Sequence, residues 1–129
     1  MMELENNALF WQKLDTILLS SSIVLDFPKG SHHPIFTALT YPVDFAHLED
    51  SFENNNNKKI HVYKGSDGQK VVGIVISADV LEKDCFVTVL VGCNEQERHD
   101  VLEFMNQMEC QKCIYVTRGD GIPVWSNND

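Results

Sequence analysis

The run from Ile23 to Leu48, IVLDFPKGSHHPIFTALTYPVDFAHL, most restricts what the chain can fold into. Ile23 to Phe27 is apolar and rich in branched side chains, and Pro28 closes it. That pattern predicts a short strand. Lys29 to Pro34 predicts a loop. Thr37 to Leu48 predicts a second strand with an irregularity near Pro42, because proline donates no ladder hydrogen bond.

The rest of the chain repeats this style of short element and strong turn. Ile60 to Lys64 predicts a short strand, Ser66-Asp67-Gly68 a turn, and Val71 to Ala78 a long apolar strand. Asp79 to Asp84 joins it to Cys85–Val91, and Cys113 to Thr117 predicts the last strand. The four asparagines centred in Phe52–Asn57 predict a loop, since their side chains compete for local backbone groups. A first helix starts at Asn6 or Asn7, with Phe10, Leu14, Ile17 and Leu18 as its apolar face and Trp11 packing beside it. Asn94 opens a second helix, and Glu97 stands at capping-box spacing from it. Val101, Leu102, Met105 and Met108 form its inner stripe.

The expected class is mainly β with two helices, an α+β chain. Five short strands between strong turns predict a small closed or partly closed barrel with the helices flanking it or plugging one end. With 129 residues, a single domain over 1–129 is expected, with a leading helix at 1–20 and a loose tail at 119–129.

A net charge of −9 makes nucleic acid a poor partner, because phosphate backbones are repelled. No apolar run approaches the ~20 residues of a membrane helix, so no membrane partner is expected. No basic region precedes an apolar one at the N-terminus, so a signal peptide is not expected and the location is read as cytoplasmic. Cys85, Cys93, Cys110 and Cys113 are then reduced thiols. Cys110-Gln-Lys-Cys113 has metal or redox spacing without a second such pair, and structural thiols are the plainer reading.

Asp26-Phe27-Pro28-Lys29-Gly30 followed by Tyr41-Pro42-Val43-Asp44-Phe45 resembles the strand order of the family I soluble inorganic pyrophosphatases. Phe10-Trp11 in the leading helix, Pro28-Lys29-Gly30-Ser31 and Val91-Gly92-Cys93 are similar to short bacterial relatives. The resemblance implies an OB-like five-stranded barrel and a metal-dependent hydrolase of pyrophosphate or a related phosphoanhydride. In such a site Mg²⁺, or Mn²⁺ or Zn²⁺, neutralises phosphate oxygens and lowers the pKa of a bound water. Where the family's main motif carries three acids, this chain has Asn56, Lys58 and His61. Its activity is therefore expected to be weak or lost.

By that resemblance Asp79, Asp84 and Asp26 are the catalytic candidates, and Asp79, Asp84 and His61 the metal ligands. Lys29, Lys58 and Tyr41 are the phosphate-binding candidates. Phe86 stands where the family has a phosphate-binding lysine, and Phe45 where it has a second tyrosine. Plainer readings stand beside these. Asp79 and Asp84 are turn acids, Asp26 an outward strand residue, His61 an exposed strand histidine, and Lys58-Lys59 surface charge. Lys29, His32 and His33 form a small basic loop that could cradle a phosphate or simply be solvated. The partner implied is pyrophosphate or a small phosphorylated ligand, with a homo-oligomer implied by the family's dimers and hexamers. The alternative function is a non-catalytic module that binds a phosphorylated ligand or another protein.

Overall fold

A computed structural model describes residues 6–49 and 59–121. The element order is α1 (Ala8–Leu19), β1 (Ile23–Phe27), β2 (Asp44–Leu48), β3 (His61–Lys64), β4 (Val71–Asp79), β5 (Asp84–Val91), α2 (Glu95–Asn106) and β6 (Gln111–Thr117). The strands form one six-stranded sheet in the order β1-β2-β3-β5-β4-β6. The expected mainly-β class with two helices holds, and the expected five-stranded barrel is not what these strands make. β1 and β6 end the sheet, and among the described residues they do not pair with each other. No helix among those residues is long and apolar enough to cross a membrane.

Consecutive residues of the central strands go to opposite faces, as the period of two requires. Val62, Ile74 and Val89 pack with Trp11 and Leu14 of α1, whereas Tyr63, Val75 and Leu90 pack with Val101, Phe104 and Met105 of α2. Burial on both faces explains why most of β4 and the second half of β5 read as largely apolar runs. Neighbouring strands pair antiparallel except β3 and β5, which run parallel with His61 opposite Thr88 and Tyr63 opposite Leu90. The β4–β5 hairpin thus turns back so that β5, not β4, lies beside β3. α2 then crosses the same face to reach β6.

The caps match the sequence closely. Asn7 caps α1 by accepting from the Leu9 N–H. Asn94 and Glu97 make the full capping box of α2. Glu97 also accepts from the Ser66 N–H and hydroxyl, so the box ties α2 to the turn after β3.

Three local expectations need correction. The second strand is shorter than Thr37–Leu48, because residues 37–43 form turns and one isolated bridge, Thr40 with His32. Pro34 and Pro42 and the His33 side chain, which accepts from the Ile35 and Phe36 N–H groups, hold this segment out of the ladder. The buried face of α1 is turned part of the way from the expected stripe: Leu14 and Leu18 pack on the core as expected and Trp11 beside them is 1% exposed, while Phe10 is 50% and Ile17 40% exposed. Trp11 donates its indole N–H to Asn6, and Asn6 donates to the Thr117 carbonyl, which anchors that face to β6. Phe104, absent from the expected α2 stripe, is buried at its centre.

Candidate functional site

The sheet face under α2 is not filled. Between it, α2 and the loop from His33 to Tyr41 lies an open cleft of about 290 Å³. Its floor comes from β3, β4 and β5, which place His61, Ser77 and Thr88 on the same side of the sheet. α2 contributes Phe104 and Met105 to one wall, with Met108 just beyond its end. The loop contributes His33, Phe36 and Tyr41, and the β4–β5 hairpin closes the rim with Asp79, Leu81 and Glu82.

The walls are aromatic. Tyr41 stacks between Phe27 and Phe45, with centroids 5.1 and 5.5 Å away, and Phe45 lies on His61. Phe104 tilts against Tyr41 at 5.0 Å, and Tyr63 against Phe45 at 4.9 Å. Such pairs contribute about 0.5–1.5 kcal/mol each beyond area burial. They give the cleft rigid walls.

The polar groups on the floor face the cleft and leave room for a ligand's hydrogen bonds. Ser77 is 2% and Thr88 6% exposed, and neither hydroxyl is hydrogen-bonded within the described residues. His61 Nδ1 is buried and also without a hydrogen-bond partner. Burial pushes the His61 imidazole below its ordinary range; the opposing pull of Asp26 is smaller. His33 is lowered by burial alone. Its Nδ1 accepts two backbone N–H bonds, so the neutral ring carries its proton on Nε2. Burial raises the Tyr41 and Tyr63 phenols. At neutral pH the aromatic walls are therefore uncharged. Within the described lining the only formal charges are Asp79 and Glu82, with no Lys or Arg.

The expected site residues are only partly brought together. Asp79, Tyr41 and His61 line the cleft. Asp79 is also a turn acid: its Oδ1 accepts from the Leu81 and Glu82 N–H groups at 2.9 and 3.0 Å. Asp84 pairs with Asp79 across the hairpin, is exposed, and accepts from the Cys85 N–H. Asp26 sits at an irregularity of β1, where its Oδ2 meets His47 Nδ1 at 2.8 Å. Lys29 borders a separate shallow hollow with Lys64, Asp44 and Glu97, where two carboxylates offset the two ammonium groups. Lys58 and Asn56 lie outside the described residues. The exposed-strand reading of His61 fails because β3 is covered on both faces.

Asp79, Asp84 and His61 do not make one ligand set. His61 is level with Thr88, and Asp84 is four residues further along β5, a separation of about 13 Å at strand rise. Among the described residues no group of three or more His, Cys, Asp or Glu side chains is placed to hold a metal ion.

Sequence reasoning missed Ser77, Thr88 and Phe104. A signal existed for the first two: each is a lone hydroxyl residue in an otherwise apolar run, IVISA and FVTVLV. Neither a protein-family model nor a curated protein matches the chain.

Proposed function

We propose that the protein is a non-catalytic binding module whose cleft beneath α2 takes a small ring-bearing organic molecule. The observation that carries this reading is the pair of hydroxyl residues, Ser77 and Thr88, which are buried in the floor of an aromatic cleft and are bonded to no described side chain. A ligand that fills the cleft cuts these hydroxyls off from water, so one that hydrogen-bonds them is favoured by about 1–3 kcal/mol over one that does not. The aromatic walls accept a ring. Concave, mostly apolar sites with a few convergent polar groups are where small molecules bind. A phosphate ligand fits this lining poorly, since among the described residues no Lys or Arg lines it and two carboxylates do.

The test is a melting-temperature screen of small ring compounds beside pyrophosphate. A ligand at 100 times its Kd stabilises by about 2.7 kcal/mol. Ring compounds are expected to raise the Tm of the native protein and to lose that effect in Thr88→Val. If no ring compound shifts the Tm, or if the shift survives Thr88→Val and Ser77→Ala together, the reading is wrong.

One observation favours a second reading, the metal-dependent pyrophosphate hydrolase of the family I resemblance. Asp79 and Asp84 face each other directly across the β4–β5 ladder, with Asp79 at the cleft rim. That reading brings with it the family's OB-like barrel, in place of an open sheet. Phosphate release from pyrophosphate with Mg²⁺, Mn²⁺ or Zn²⁺, abolished in Asp79→Asn and Asp84→Asn, would favour it over simple binding.

A further inference from the structure

The cleft's charge pattern says what kind of ring compound suits it, and this step rests on the binding reading above. Asp79 is held in place by its two turn hydrogen bonds through Oδ1, and the contact of its Oδ2 is the Cys110 thiol, 3.8 Å away. Glu82, exposed on the same hairpin, adds a second carboxylate to the rim. Against them the described lining sets no ammonium or guanidinium group.

Three classes of ligand can be compared on these facts. An anion would meet two carboxylates and no cation. A neutral molecule would cover Asp79 and strip water from its carboxylate without replacing the lost interaction, which is costly. A cation supplies the missing partner. The chain's net charge of −9 raises the local concentration of such ligands at low salt.

We infer that the cleft selects a small organic cation: a ring-bearing amine, protonated at neutral pH, with its ring between the aromatic walls and its ammonium group at Asp79 and Glu82. The hydroxyls of Ser77 and Thr88 then meet a polar substituent at the other end of the ligand. The neutral state of His33 and His61 is consistent with this, since neither ring competes for the carboxylates.

The test uses three molecules of one shape: 2-phenylethylamine, 2-phenylethanol and phenylacetate, titrated into the full chain by calorimetry at low ionic strength. The amine is expected to bind at least about tenfold more tightly than the alcohol, with the carboxylate weakest. Asp79→Asn with Glu82→Gln is expected to bring the amine and the alcohol to the same Kd, the amine weakening and the alcohol tightening because no carboxylate is left to be stripped of water. Glu82→Gln alone, at an exposed position, keeps the test sound if the double variant folds poorly; it is expected to weaken the amine about threefold and leave the alcohol alone. Equal binding of amine and alcohol, or tightest binding of the carboxylate, overturns the charge preference and leaves the binding reading standing. No binding of any of the three up to about 10 mM overturns both.

Discussion

Phe45 lies nearly flat on His61, with ring centroids 5.2 Å apart and planes 13° from parallel. The two residues are on adjacent antiparallel strands, and both line the cleft. The stack covers the imidazole, so protonating it in the folded protein is unfavourable. His33, covered by Tyr41 and Phe104, is in the same position.

That burial sets a pH dependence. Both imidazoles have folded pKa values below the ordinary 6.5. Between the two values the unfolded chain binds more protons, so stability is full above about pH 6.5 and is lost as pH falls through the folded values. Glu97 and Asp15 add a second, more acidic loss. Burial of Glu97 is outweighed by hydrogen bonds from Asn94 and Ser66, and the Arg118 hydrogen bond lowers Asp15. Urea melts from pH 8 to pH 3 are expected to show two declines. The first should shrink in His33→Gln/His61→Gln, while Glu97→Gln should shrink only the second.

Thr88→Val keeps the side-chain shape and removes a hydroxyl that faces the open cleft. It is expected to change the stability of the ligand-free protein by about 0.5 kcal/mol or less. Urea unfolding measures this directly. A destabilisation of about 1 kcal/mol or more would mean that the hydroxyl has a protein partner in solution and is not held ready for a ligand.

Adjacent aromatic residues of α1 should respond very differently to truncation. Trp11→Ala removes a buried indole and is expected to cost about 3–5 kcal/mol. Phe10→Ala, half exposed, is expected to cost roughly 1 kcal/mol or less. Equal costs would place the buried face of α1 elsewhere.

The α2 cap gives a further check. Asn94→Ala removes the acceptor for the Glu97 N–H at 2.8 Å and is expected to cost about 1 kcal/mol. Because Glu97 also holds Ser66, Glu97→Ala should cost more than Asn94→Ala in the same measurement.

Local chemistry made much of this fold legible. Pro28 ended β1 where expected, Asn94 and Glu97 announced α2, and the Asp79-to-Asp84 link became a hairpin turn with Lys83 at a positive φ of 56°. The face of α1 was harder to read, because apolar residues surround that helix from Leu9 to Leu19 and two stripes fit equally well. The choice is made by Asn6, which holds Trp11 and β6 together across 111 residues of sequence. The site was harder still. It depends on parallel pairing of β3 with β5, which no turn signal announces, since the hairpin alone would suggest β4 as the neighbour of β3. That pairing puts His61 beside Thr88. Without it, Ser77 and Thr88 are only polar interruptions in apolar strands.

Methionine methyl NMR tests the central claim most directly, because Met105 and Met108 both line the cleft. Titration with 2-phenylethylamine and its 4-hydroxyphenyl analogue is expected to move both methyl signals along a saturable curve, and Thr88→Val should weaken the hydroxylated compound. Methyl signals that stay fixed while the same compounds raise the Tm would put the binding site elsewhere and contradict the account.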